Sequence, residues 1–321
     1  MITLILPYFG KFPNYFPVFM RSCSYNKGVS WLVYTDCDIP SSYPSNIRFI
    51  RTSFANFAQR FRDFFDFEIS LENPYKLCDY KVSYGEVLQK DLAGSDYWGH
   101  CDCDLVFGDF TQFVTAEVLS KYNKIFTRGH LTIYHNDSET NSFYRNIKHI
   151  DYKKIYQNPR SFAFDEWPGV SRVWKEMGLP YYDELCFDDI QVGHHVFYPT
   201  KRDGSPNGPY HEGNKNEADR YKKMRNITYL FDKGKLYRRY FIDGHLEKEE
   251  ILYAHFQKRR LKMESGVEDA DKFVIVPNEI GLSKKMEYGV REWYSSSTFN
   301  INEIMIDFKK RLGIIIRRLY K

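Results

Sequence analysis

The chain has 321 residues, 43% of them hydrophobic and 18% aromatic, with 46 basic and 42 acidic side chains. That length supports a sizeable core in one large or two smaller domains. No apolar run reaches the roughly 18 residues of a membrane-spanning helix, and the basic surplus sits in one tail and not along a face, which argues against nucleic acid as a partner.

The six cysteines are scattered with no CxxC pair, the pattern of reduced thiols in a cytoplasmic protein. The first residues, "MITLILPYFG", carry no basic region and no small-residue cleavage site. They read as a core strand that starts at once and not as a signal peptide. After the strand "ITLILP" comes a Gly- and Pro-bearing loop, then a helix over "YFPVFMRSCSYN". "SWLVYTD" is a second strand ending at Thr35 and Asp36, "IRFIRTS" a third, and "FANFAQRFRDFF" an amphipathic helix. "PYKLCDYKVSYGEVLQKDL" reads as a helix leading into the strand "YWGHCDCDLVF". Strands alternating with helices predict an α/β fold on a parallel sheet, with ligands at the carboxyl ends of the strands.

Later signals are mixed. "LTIYHN" predicts a strand, and "EWPGVSRVWKEMG" a short helix with Pro168 in its first turn and Gly178 at its end. Residues 200–223 are polar and rich in Gly, Pro and Asn, hence a loop or lid. "ITYLF", "KLYRRYF" and "EILYAHF" predict strands, the first two around a turn at Asp232–Gly234. In "INEIMIDFKKRLGIIIRRLYK" the apolar residues fall on one helical stripe. Residues 307–321 carry six basic side chains against one acid. Such a helix can lie on a membrane surface or pack on the domain with its basic side solvated.

The chemistry concentrates in "YWGHCDCDLVFGDF". Strand alternation would send His100, Asp102 and Asp104 to one face and Cys101, Cys103 and Leu105 to the other. Two acids at the end of a buried strand need compensation. Three readings fit a D-x-D: two carboxylates holding Mg²⁺ or Mn²⁺ against a diphosphate, the nucleophile and acid/base of a haloacid-dehalogenase-type phosphatase, or a loop in which the acids accept backbone N–H groups. Zinc is excluded, because two cysteines at this spacing without a second pair do not make a zinc site.

With "PYFG" at 7–10 and "WGHCDCDLVFGD" at 98–109, the chain resembles the GT-A glycosyltransferases of bacterial polysaccharide synthesis, a capsule and O-antigen group. "YKLCDYKVSYG" and "RGHLTIYHN" are similar to the segments flanking D-x-D in such enzymes. The resemblance implies a GT-A domain over residues 1–262 and a C-terminal extension, 263–321, with the basic amphipathic helix. It implies a metal-dependent transfer of a hexose, with galactose as pyranose or furanose the first guess, from a UDP-sugar to a glycan or lipid-linked glycan acceptor. The enzyme would lie in the cytoplasm, with segment 301–321 a candidate contact to the inner membrane face.

The implied roles follow by position. Pro7, Tyr8 and Phe9 border the nucleotide base, where an aromatic face can stack, and Asp36 accepts from the base or ribose. Asp79 and Lys81 face the donor; Lys81 stands where relatives carry Arg and offers a point charge instead of a fork. Asp102 and Asp104 hold the metal, His255 is its third ligand, and Lys258 meets the diphosphate. His100 has a packing or supporting role. If the reaction inverts, a carboxylate must take the acceptor proton: Asp165 or Glu166 at a helix start, ahead of Asp188 or Asp189. The alternative to an enzyme is an aromatic-rich carbohydrate-binding protein on a GT-A shell.

Overall fold

The computed structural model describes residues 1–166, 169–200, 215–282, 305, 308 and 309. The chain forms two interleaved units, one of Met1–Phe12, Asn26–Cys103 and Val114–Glu184, the other of Pro13–Tyr25, Asp104–Phe113 and the residues from Leu185 on. Strands are numbered along the chain.

The first unit holds β1 (Ile2–Tyr8), β2 (Val29–Thr35), β3 (Ile47–Arg51), β4 (Tyr97–Cys101), β6 (Lys124–Arg128), β7 (Leu131–His135) and β8 (Tyr181–Tyr182). They form one sheet in the order β3-β2-β1-β4-β7-β6-β8. The four strands β3, β2, β1 and β4 run parallel, whereas β7 is antiparallel to β4 and to β6. The predicted α/β class is therefore observed, on a mixed sheet. β1 and β2 read as almost continuous apolar runs because both their faces are covered. The helix Phe54–Phe64 starts where Ser53 accepts the Asn56 N–H. It buries Phe57, Ala58 and Phe61 in an aromatic core with Tyr34, Tyr80, Tyr84, Trp98 and Tyr156.

The second unit contains β5 (Leu105–Phe107), β9 (Phe187–Asp189), β10 (Arg225–Asp232), β11 (Lys235–Ile242), β12 (His245–Ile251), β13 (Tyr253–His255), β14 (Lys262–Met263), β15 (Lys272–Val276) and β16 (Glu279–Leu282). A six-stranded sheet has the order β12-β11-β10-β15-β16-β14, and a small one the order β5-β13-β9. Lys233 and Gly234 join β10 to β11, and Asp243 and Gly244 join β11 to β12, all four with φ between 48° and 88°. These are the left-handed pairs that two-residue hairpins of right-twisted strands require. The domain boundary expected at 262 falls inside this sheet, where β15 pairs with β10.

Several expected elements differ, among them part of the loop expected over 200–223, which is a helix over Lys215–Lys223. "PYKLCDYKVSYGEVLQKDL" is not one helix but short α and 3₁₀ turns from Pro74 to Val87. "EILYAHF" is two strands in two sheets, divided at Leu252. The predicted helix after Glu166 begins at Val170 and runs to Glu176, with Gly178 at φ 66° beyond it. Most of the expected loop 200–223 and of the C-terminal helix lies outside the described residues. Among the described residues no helix is long and apolar enough to cross a membrane.

Candidate functional site

The D-x-D segment is not a strand end. The ladder between β4 and β7 stops at Cys101, opposite Leu131, and β5 begins at Leu105 in another sheet. The alternation expected through Asp104 thus ends three residues early, and the chain passes from one unit to the other between Cys103 and Asp104.

In the first unit Asp102 lies just past β4, its N–H bonded to the His130 carbonyl at 3.1 Å. Lys81 Nζ donates to Asp102 Oδ1 at 3.2 Å and to the Gly129 carbonyl at 2.6 Å, and stands 3.5 Å from Asp165 Oδ2. Burial alone would lower the Lys81 pKa, but Asp102 and Asp165 outweigh it and hold it well above its ordinary value. Asp165 is 1% exposed. Burial pushes its carboxyl up to about 7; Lys81 opposes the rise, and Glu166 and Asp102 add to it.

Asp165 is not a helix cap. Its own carbonyl accepts from the Ser171 hydroxyl, and neither of its carboxylate oxygens accepts a hydrogen bond. Gly129 turns the hairpin between β6 and β7. A Cβ there would lie 2.4 Å from Glu166 Oε1 and 2.9 Å from Asp165 Oδ2. Only a glycine lets this turn meet both acids, a role that sequence reading passed over in "RGHL". His100 is fully buried under the same group of charges, and burial, with Lys81 and Lys124, holds its pKa well below the ordinary value.

Asp79 is a correction. It pairs with buried Lys76 at 2.7 Å and accepts the Phe162 and Phe164 N–H groups. With no exposed surface, it ties two loops together.

At the carboxyl ends of the parallel strands β1 and β2, Gly10 of "PYFG" has φ 106°, and its N–H reaches Asp36 Oδ1 at 2.7 Å. Tyr8 stacks on Phe12 at 5.3 Å, and Phe12 meets Phe49, which meets Tyr43. Pro7 and Tyr8 are half-buried. Phe9 turns instead toward the core rings of Phe54 and Phe57, so Tyr8 is the one of the pair with a ring in the outer cluster.

In the second unit the small sheet assembles a separate group. β13 lies between β5 and β9, with His255 opposite Leu105 on one side and Asp189 on the other. Asp104, one residue before β5, faces the His255 ring, Oδ1 to Nε2, at 3.4 Å, while Asp189 Oδ1 meets Nδ1 at 2.8 Å. Asp104 also accepts the Lys258 N–H at 2.6 Å. Gln257 and Lys258 both have positive φ, a strained backbone for side-chain-bearing residues that aims this N–H at the carboxylate. Burial alone would lower the His255 pKa, yet Asp104 and Asp189 hold it well above its ordinary value. Burial would likewise raise Asp104, but His255 and the Lys258 N–H keep it low.

Asp188 is a second correction. It is fully buried and pairs with Arg238 at 2.6 Å while accepting from the Tyr221 and Tyr229 hydroxyls. A carboxylate so committed is part of the core.

A divalent cation fits the Asp104–His255 pair. A buried carboxylate oxygen and an imidazole nitrogen 3.4 Å apart suit neighbouring vertices of an octahedron, whose edge is about 3 Å for bonds near 2.1 Å. Hard oxygen with one nitrogen is a donor set for Mn²⁺ or Mg²⁺.

A model described as a family of unknown function (DUF6625) matches residues 4–284. The chain belongs to this family. No curated protein matches the sequence. Among solved structures, this DUF6625 chain is similar to the galactosyltransferase LgtC in complex with donor and acceptor sugar analogs, with 9% identity and a TM-score of 0.39 over 80% of this chain and 87% of that one. It is also similar to apo mouse xyloside xylosyltransferase 1, with 8% identity and a TM-score of 0.37 over 80% of this chain and 98% of that one. A third, the apo glycosyltransferase GlyE of Streptococcus pneumoniae, aligns with 10% identity and a TM-score of 0.27 over 48% and 41% of the two chains.

Proposed function

We propose that this chain is a metal-dependent GT-A glycosyltransferase that moves a sugar from a nucleoside diphosphate donor, with UDP-hexose the first candidate, to a glycan acceptor. The observation that carries the reading is the buried Asp104–His255 pair at the second acid of D-x-D, with separation and donor types suited to a divalent cation. Asp102, two residues back along the chain, is the other proposed ligand. Bound Mn²⁺ or Mg²⁺ would neutralise charge on the departing diphosphate.

The chain's own residues supply the remaining work. Tyr8 offers a stacking face for the base beside Asp36. Lys81, half-buried and cationic beside Asp102 and Asp165, would draw an anionic group of the donor. Lys258 would add a charge at the diphosphate. If the reaction inverts, Asp165 or Glu166 takes the acceptor proton, and a carboxyl raised to about 7 suits a group that exchanges protons at neutral pH.

Strand order favours this over the phosphatase reading. A dehalogenase-type nucleophile ends the first strand of its domain, whereas here D-x-D follows the fourth strand. An acceptor carried on lipid at the inner membrane face belongs to the proposal, on the basic charge of 307–321 alone.

The test is to incubate the full chain with a panel of UDP-sugars and Mn²⁺ and to measure UDP release with and without a chelator. Metal-dependent release from one donor supports the reading. Sugar binding without any need for metal or nucleotide would favour the carbohydrate-binding alternative.

A further inference from the structure

Asp189 was expected to be a second-choice proton acceptor, but its surroundings give it another task. The parallel register of β9 and β13 sets Asp189 directly beside His255. Its Oδ1 lies 2.8 Å from His255 Nδ1 and accepts from Gln257 Nε2 at 2.7 Å. Its Oδ2 lies 3.1 Å from the Thr200 hydroxyl, which also reaches the Asp189 carbonyl at 2.8 Å. The residue is 8% exposed, so its carboxylate is held on both oxygens and fixed in orientation.

We propose that Asp189 is a positioning residue: it holds the Nδ1 proton of His255, fixes the ring plane, and leaves Nε2 as the lone-pair donor aimed toward Asp104 and a divalent cation. The inference rests on the metal-site reading above. A neutral imidazole has one donor and one acceptor nitrogen, and the hydrogen bond at one decides the role of the other. A carboxylate on Nδ1 puts the proton there and makes Nε2 the more basic ligand. Thr200 and Gln257 then keep the carboxylate itself from rotating. Asp189 acts through His255 and needs no contact with substrate.

The test is Mn²⁺ affinity of the full chain in the presence of UDP, read from the free Mn²⁺ signal by electron paramagnetic resonance. Four proteins are compared: the natural chain, Asp189→Asn, His255→Ala, and the double variant, with thermal unfolding as a check of folding. Asp189→Asn is expected to weaken Mn²⁺ about 10–100-fold and to add nothing once His255 is gone. Non-additivity is the signature of a residue acting through its neighbour, and a merely structural role would not produce it. If Asp189→Asn does not fold, Thr200→Val takes its place, with a loss of about threefold expected that again vanishes in the His255→Ala background.

Unchanged affinity in Asp189→Asn, or a loss that repeats in full without His255, overturns the proposal while leaving the metal-site reading standing. So does an unaffected His255→Ala beside a fifth protein, Asp104→Asn, that no longer binds. Absence of Mn²⁺ uptake by the natural chain overturns both.

Discussion

Lys81 Nζ stands 3.5 Å from Asp165 Oδ2, and neither oxygen of that buried carboxylate accepts a hydrogen bond. An acid so placed keeps its proton longer than usual, and its pKa of about 7 follows first from burial. The folded chain then binds a proton that the unfolded chain has already released. The stabilisation is complete below the ordinary carboxylate range and is lost as pH rises to about 7. Asp165→Asn should therefore be more stable than the natural chain at about pH 8, by on the order of a few kcal/mol, with much less difference at about pH 5. Urea midpoints of the metal-free proteins at the two pH values check this; a difference that shrinks with rising pH would contradict it.

Gly129 approaches the same acids from the opposite side. In Gly129→Ala the new methyl meets Glu166 Oε1 first, then the carboxylate of buried Asp165 and Glu166 Cγ, each at 2.9 Å, so both acids must shift. Stability should fall by about 1–3 kcal/mol, the usual overpacking cost. Sugar transfer should fall about tenfold or more, because the acid pair is displaced. Denaturation and turnover measured on one preparation separate the two effects.

Asp79 and Asp188 should behave as parts of the core. Removing Asp79 leaves buried Lys76 without its carboxylate, and removing Asp188 takes from Arg238 the fully buried one of its two carboxylates, Glu249 remaining, and leaves the Tyr221 and Tyr229 hydroxyls without their acceptor. Asp79→Ala and Asp188→Ala are each expected to cost about 3–5 kcal/mol, measured by chemical denaturation. A stable Asp188→Ala chain with no transferase activity would return that residue to the list of bases.

Tyr8 should serve the nucleotide. Tyr8→Ala removes one face of the ring pair with Phe12 and is expected to weaken UDP by roughly 1 kcal/mol, about fivefold. Phe9→Ala, which deletes a ring packed on Phe54 and Phe57, should register mainly as lost stability. Titration of UDP beside thermal unfolding distinguishes them.

Much of the first unit was legible. β1 and β2 announce themselves as apolar runs, and Ser53 before an amphipathic stretch marks the helix Phe54–Phe64. That the acids of D-x-D need compensation was legible as well, and Lys81 lies beside the first and His255 beside the second. The geometry of D-x-D was not. Alternation continues on paper through Asp104, but β4 ends where β7 ceases to offer a partner at Leu131, and a single sequence carries no mark of that. The division of "EILYAHF" has the same origin: the Leu252 N–H goes to the Cys186 carbonyl, while the Leu252 carbonyl accepts from Gly108. The Asp189–His255 contact spans 66 residues of chain and exists only because β9 and β13 pair. Asp79 and Asp188 were misread because an acid in a loop and an acid locked in the core look alike without their partners.

The central claim is that the second D-x-D acid, with His255, serves a cation that brings the nucleotide diphosphate into place. Calorimetric titration of UDP tests it most directly, with Mn²⁺, with chelator, and with Mn²⁺ on Asp104→Asn. The account predicts binding that needs Mn²⁺ and is lost in the variant. Equal UDP binding in all three, or none in any, would contradict it.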